Sequence, residues 1–291
     1  MKKTNLHITA FVFAVLTALL FTGCFDPIYN VIRQDVKPEK PTVSGANINS
    51  IARITVNNSE KLVLSADNGL RYKDADNDTH GSWSNYSGLP FENIHSTRED
   101  SELKGRFINQ VVSDEKHLYL VTYNAQAEDP VIYTKDMSNG WSGDWGTVSG
   151  ITLTMGKFSV FSTNAYKPSD RHAYVRVGSD SYELNGTTAT LVDSGSSYRS
   201  AVATTNGVKF LKSPVSISNG ENNVYYGDGS TLYYSTNGGS SFASAGSAGH
   251  TISSLALCSD SILIGCGHPT GETGGIKHAY LNAEGVPGGI T

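Results

Sequence analysis

The chain has 291 residues, with 27 Asp and Glu against 22 Lys and Arg, for a formal charge of −5. That mild acidity argues against nucleic acid as a partner, because binding to a phosphate backbone requires a basic face. Gly (30) and Tyr (15), with abundant Ser, Thr and Asn, give a strand-and-turn composition on a chain long enough for a sizeable β-rich core.

Lys2 and Lys3 precede an apolar run from Ile8 to Phe21, the layout of a secretory signal. The run is shorter than the roughly 20 apolar residues that span a bilayer. It closes on Leu20-Phe21-Thr22-Gly23-Cys24. This string resembles the lipobox of bacterial lipoproteins, with Phe21 standing where Leu is usual. The resemblance implies that the Cys24 thiol takes a diacylglyceryl group, that the chain is cut before Cys24, and that the new amine is acylated with a fatty acid such as palmitate. It implies a bacterial cell-envelope protein, lipid-anchored to an inner or outer membrane. The alternative is an ordinary secretory signal in which the Cys falls by chance.

Residues 1–23 are therefore read as a signal peptide and set apart from the fold. Residues 24–47 contain Pro27, Pro38 and Pro41 and no sustained periodicity, which suggests a tether. Within it, the stretch Ile28 to Ile32 could instead pack as an edge strand.

From residue 48 to 291 the chain repeats. The clearest unit runs from Asn223 to Phe242, where two Tyr-rich strands flank Asp228-Gly229, a hairpin signal. Related hairpins are read around Asp67-Asn68-Gly69 and Gly178-Ser179-Asp180, and between 118–123 and 131–136 and between 262–265 and 276–282. Tyr72, Tyr133, Tyr182, Tyr234 and Tyr280 recur at the same place in each unit, about every 50 residues, the period of a propeller blade. Apolar strands are predicted ahead of each unit at 50–56, 107–112, 157–161, 200–204 and 253–258. The expected fold is all-β: a β-propeller of about five or six four-stranded blades, closed through residues near 43–56 pairing with the last unit. A β-sandwich with long hairpins is the competing architecture.

Ser235-Thr236-Asn237-Gly238-Gly239-Ser240-Ser241-Phe242 resembles the Asp-box of sialidase-like propellers, with Asn237 in place of Asp and Phe242 in place of Trp. Thr134-Lys135-Asp136 with Trp141, and Ser65 to Tyr72, are looser copies. The motif's logic is a turn: a side-chain oxygen accepts backbone N–H groups, Gly takes a positive φ, and the aromatic packs between strands. The family includes glycosidases and proteins without enzymatic activity. A sialidase needs three arginines, a Tyr/Glu nucleophile pair and an acid-base Asp. The first Arg of that family usually lies in a Phe/Tyr-Arg-Ile-Pro motif, and the nearest string here, Gly105-Arg106-Phe107-Ile108, lacks the Pro and the order. No triad is selected among Arg33, Arg53, Arg71, Arg98, Arg106, Arg171, Arg176 and Arg199, and no carboxylate pair stands out for glycoside hydrolysis. An acidic or arginine-lined central pocket would favour the enzyme.

Asp74-Ala75-Asp76-Asn77-Asp78 resembles the start of a calcium loop, but Thr79 stands where Gly is expected and Asn85 where the bidentate Glu would be. A solvated turn is the favoured reading, so no cofactor is expected, with calcium as the alternative. Trp83, Trp141 and Trp145 could stack on sugars or pack between strands. Seven histidines after the signal are scattered without metal-ligand spacing. Cys258 and Cys266 lie on a predicted hairpin in which Leu257 pairs with Ile262 and Leu255 with Ile264. That register puts Cys266 on the Leu/Ile face and Cys258 on the other, as two separate thiols. The function expected is that of a membrane-anchored lipoprotein whose non-enzymatic domain binds a protein or glycan partner. The alternative is a lipid-anchored glycan-active hydrolase.

Overall fold

A computed structural model describes residues 48–66, 69–75, 83–94, 105–124, 126–163, 165, 167–196, 198–267 and 275–291. Cys24, the tether, Asp76 and Asp78 lie outside the described residues. The fold is all-β, with a single three-residue 3-10 turn, Pro168–Asp170, among the described residues.

Five antiparallel sheets have four strands each, joined in sequence order. The first comprises β1 (Ile48–Val56), β2 (Ser59–Ala66), β3 (Gly69–Asp74) and β4 (Ser84–Tyr86). The second comprises β5 (Arg106–Ser113), β6 (His117–Asn124), β7 (Val131–Asp136) and β8 (Gly146–Thr147). The third comprises β9 (Phe158–Ser162), β10 (Ala173–Val177), β11 (Asp180–Asn185) and β12 (Thr188–Asp193). The fourth sheet has only two strands, β13 (Ser200–Thr204) and β14 (Gly207–Leu211). The fifth comprises β15 (Val215–Ser218), β16 (Val224–Asp228), β17 (Thr231–Ser235) and β18 (Ala243–Ser247). The sixth comprises β19 (Thr251–Leu257), β20 (Ser261–Gly267), β21 (Gly275–Leu281) and β22 (Pro287–Ile290).

The first strands of successive sheets pack on one another: β1 on β5, β5 on β9, β9 on β13, β13 on β15, and β15 on β19. Alternation along each strand explains how a sheet serves two neighbours. On β6, Leu118 and Leu120 enter a cluster with Ile54, Val63 and Leu70 of the first sheet. Tyr119 and Val121, on the opposite face, join Val160, Val175 and Leu184 of the third. On β13, Ala201 meets Phe161 and Tyr174 of the third sheet, and Val202 meets Val224 of the fifth. A further cluster joins Tyr225 and Leu232 to Ile252, Ile262 and Ile264. Each fully buried Leu, Ile or Val in these layers contributes about 1.5–3 kcal/mol over an exposed one. No sheet can bury both faces alone, which makes the stack cooperative.

All five recurring tyrosines fall on the third strand of a four-stranded sheet. Tyr72, Tyr133, Tyr182 and Tyr234 pack against the intersheet clusters, but Tyr280 is exposed and lies edge-on to His278, with centroids 4.7 Å apart. The Asp228 hairpin forms with Asp228 paired to Thr231, so the two turn residues are Gly229 and Ser230; Gly229 takes a φ of +55° that its missing Cβ permits. Leu255 pairs with Ile264 and Leu257 with Ile262, as predicted. Cys266 is buried, Cys258 is exposed, and both are free thiols.

Two expectations are corrected. Residues 200–204 are not the leading strand of the Tyr234 unit. They form their own hairpin with β14, and Val215–Ser218 leads the fifth sheet. The alternations Val208/Phe210 and Val215/Ile217 are each too short to stand out from a loop. Residues 48–56 pair with β2 as the first strand of the first sheet, while the last sheet takes its fourth strand from its own Gly-rich tail at Pro287–Ile290.

Candidate functional site

The first strands carry small polar residues where the sheets converge, and these cross-link neighbouring sheets. Asn49 Nδ2 donates to Ile108 O at 2.9 Å, the Val111 N–H donates to Ser50 Oγ at 2.6 Å, and Ser113 Oγ donates to Arg53 O at 2.5 Å, joining the first sheet to the second. Gln110 Nε2 donates to Val160 O at 3.0 Å, joining the second to the third. Ser216 Oγ donates to Ser200 Oγ at 2.8 Å and Ser218 Oγ to Ala203 O at 2.6 Å, joining the fifth to the fourth.

Between these strands lies a cavity of about 530 Å³, lined from β1, β5, β9, β13 and β15 and by Arg176 of β10, Arg199 and Pro214. Its walls are polar at Ser50, Gln110, Ser159, Ser162, Ser200 and Ser216 and apolar at Val111, Val160 and Phe161. Arg176 and Arg199 are the charged groups among the described lining, and no carboxylate is among them. Arg176 pairs across the strands with Ser159. The Nε of Arg176 and the Oγ of Ser159 are both out of solvent and without a hydrogen-bond partner among the described residues. A buried donor left unmet costs about 1–3 kcal/mol. The arrangement can hold an anionic or hydroxyl-rich group through charge-assisted hydrogen bonds. The paired acid and base of glycoside hydrolysis are not in the described lining.

Arg176 and Arg199 stood among eight equivalent arginines in the sequence; only the strand register, which sets Arg176 opposite a first-strand serine, separates them.

A second polar cleft, of about 180 Å³, lies between the second and third sheets, with His117 beside Asp114 and His172 beside Glu183 at 2.8 Å. Burial works to raise the Asp114 pKa. Hydrogen bonds from the His117 ring (3.0 Å), Tyr119 Oη (2.6 Å) and the His117 and Lys116 N–H groups outweigh it and hold the carboxyl below its ordinary value. The bond to Asp114 raises the His117 pKa against burial, while burial, with Asp114 nearby, pushes the Tyr119 phenol far up. Tyr119 Oη also accepts the Gly186 N–H at 3.0 Å, so the network ties the two sheets together.

Of the residues singled out in the sequence, Asp74 ends β3 and pairs with Lys61 while accepting from Ser59 Oγ at 3.3 Å. The Lys61 hydrogen bond is the main cause of its lowered pKa. Trp83 lies under Lys73, whose Nζ is 5.6 Å from the ring. Trp141 packs on Tyr72 (4.4 Å) and Tyr86 (5.0 Å), and Trp145 donates from Nε1 to Gly88 O at 2.8 Å, so both sit between the first two sheets. Phe242 fills the equivalent place between the fourth and fifth sheets, edge-on to Tyr226 at 4.9 Å. In the turn before it, Asn237 Oδ1 accepts the Ser240 and Ser241 N–H groups, both at 3.1 Å, and Ser235 Oγ accepts the Gly239 N–H at 3.0 Å. Gly238 and Gly239 take φ of +68° and +78°.

No protein-family model matches the chain, and no curated protein matches it. Among solved structures it is similar to a chain of a structure described as the mitotic checkpoint complex, at 12% identity over 84% of this chain and 78% of that one, with a TM-score of 0.51. It is also similar to YCF48 bound to a D1 peptide (13% identity, 82% and 80% covered, TM-score 0.47) and to the SapL1 lectin in complex with alpha methyl fucoside (16% identity, 83% and 94% covered, TM-score 0.39). At these identities the likeness concerns the fold, and the first of the three carries it.

Proposed function

We propose that the protein is a lipid-anchored bacterial envelope protein whose domain is a six-bladed β-propeller with an incomplete fourth blade, and that it binds a protein or glycan partner without chemical turnover. The convergent cavity carries this reading. Two cationic side chains and a set of serines, two of these groups with unmet donors, suit recognition of an anionic or hydroxyl-rich group. The run of sheets, each packed on the next through its first strand, supports the propeller. The Asn237 turn supports the likeness to Asp-box repeats in its hydrogen bonding. The lipid anchor rests on Leu20 to Cys24. Several acyl chains, at about 0.8 kcal/mol per buried methylene, would hold the domain at the membrane surface.

The arginine lining favours a second reading, a glycan-active hydrolase. A fluorogenic sugar panel separates the two. Turnover that disappears in Arg176→Ala supports the hydrolase. Binding of an immobilised glycan or protein that is weakened in Arg176→Ala, with no turnover, supports the binding protein. The anchor is tested by acyl labelling of wild-type and Cys24→Ser chains.

A further inference from the structure

The fourth sheet stops after two strands, and residues 212–214 carry the chain directly from β14 into β15. Among the described residues β14 pairs only with β13, so half its backbone N–H and C=O groups face outward along an open edge. Beside that edge lies a cavity of about 570 Å³, bounded by Tyr198, Phe210 and Leu211 on one side and Tyr226 and Phe242 on the other. It occupies the space that a third strand, about 4.8 Å from β14, would fill.

The charge of this gap is one-sided. Arg199, Lys209 and Lys212 line it against the single carboxylate of Asp228, and none of the three is in an ion pair among the described residues. The stem of Lys209 lies on the turn of the fifth sheet, where a Cβ on Gly239 would be 3.0 Å from its Cγ, so its position is fixed by packing. Successive β14 side chains alternate: Val208 and Phe210 face the third sheet, while Leu211, and Lys209 with it, faces the fifth. A strand added here presents its own residues with the same alternation. A second copy of the chain is disfavoured as occupant, because pairing β14 with β14 would set lysines against lysines.

We propose that a partner peptide completes the fourth sheet: an extended segment of alternating acidic and aromatic residues adds along β14, its carboxylates toward Lys209 on the face turned to the fifth sheet and its rings toward Phe210 and Tyr198 on the other, with Lys212, just past the end of β14, adding to the positive charge of the gap. This deepens the partner-binding reading by naming a partner class and a place that adjoins the convergent cavity, with which it shares Arg199 and Pro214. Backbone bonds to β14 supply affinity, and the lysines select against neutral and basic strands.

The test is fluorescence anisotropy of the full chain with a labelled eight-residue peptide alternating Asp and Tyr, beside the same peptide fully N-methylated and a Lys/Tyr peptide. Hydrogen exchange of the free protein is measured in parallel. Expected results are fast exchange of the outward β14 amides in the free protein, protection on adding the Asp/Tyr peptide, and at least tenfold weaker binding of both other peptides. Lys209→Glu with Lys212→Glu is expected to weaken the Asp/Tyr peptide at least tenfold, while Lys277→Glu on the sixth sheet leaves it unchanged. The proposal is overturned if the Asp/Tyr peptide does not bind, if the methylated peptide binds equally, if the charge reversal has no effect, or if the β14 amides are already protected in the free protein. Any of these leaves acyl labelling of Cys24 and ligand binding at Arg176 untouched, so the broader reading fails or stands separately.

Discussion

Arg171 is the most exacting place to test how the sheets are held together. It lies ahead of β10 in the third sheet, and its side chain is 2% exposed. The guanidinium donates from Nη2 to Glu60 Oε2 at 2.5 Å, from Nη1 to Glu60 Oε1 at 3.2 Å, and from Nε to Ala165 O at 2.9 Å. Glu60 is on β2, so this forked pair ties the third sheet to the first. Burial works against the Glu60 carboxylate, yet bonds from Arg171 and Thr55 and the charges of Arg171 and Arg53 hold its pKa below the ordinary value. Arg171→Met keeps the stem and removes the charge. Removing one partner of a buried pair costs about 3–5 kcal/mol. Glu60 keeps 23% of its side chain exposed, so water recovers part of that and the lower end applies, about 3 kcal/mol. For a domain of this size each kcal/mol is worth about 2–4 °C, which gives a fall in Tm of about 6–12 °C. Urea unfolding of Arg171→Met, Glu60→Gln and the double variant is the assay. The double variant should be less destabilised than the sum of the two single variants. A change below about 0.5 kcal/mol for Arg171→Met, or strict additivity, would refute the reasoning.

Three further outcomes follow from the same geometry. Asp114 has a lowered folded pKa, so its contribution is present above its ordinary value of 3.8 and is lost as pH falls through the lower folded value. His117 has a raised one, so its contribution is complete below 6.5 and is lost as pH rises through the folded value; urea midpoints against pH should fall at both ends, and the alkaline fall should vanish in His117→Asn. Tyr119→Phe removes the bond to Asp114 and strands the Gly186 N–H, costing about 1–3 kcal/mol by chemical denaturation; an unchanged midpoint would show that the network does not tie the sheets. Gly285→Ala should destabilise by more than 1 kcal/mol, since its Cβ would lie 2.0 Å from Asn223 Nδ2 at a φ of +79°; an unchanged Tm would contradict that close approach.

The sheets were legible in the sequence wherever alternation ran five residues or more beside a turn with Gly. The Tyr at the third strand marked five units because packing between sheets needs a large amphipathic side chain there. Tyr280 kept the spacing without the burial. The fourth sheet was hidden because it lacks a third strand and therefore the Tyr that marked the others. The cavity was hidden for another reason. Its arginines come from a second strand and a link between sheets, its serines from four different first strands, and no spacing along the chain brings them together. The cysteines were readable because one hairpin register decides both faces.

The measurement closest to the central claim is metabolic labelling with an alkyne fatty acid in a bacterial host, read together with membrane fractionation. Wild-type chain is expected to carry label and to sediment with membranes, and Cys24→Ser to lose both. An unlabelled wild-type chain, or label that persists in Cys24→Ser, would contradict the account.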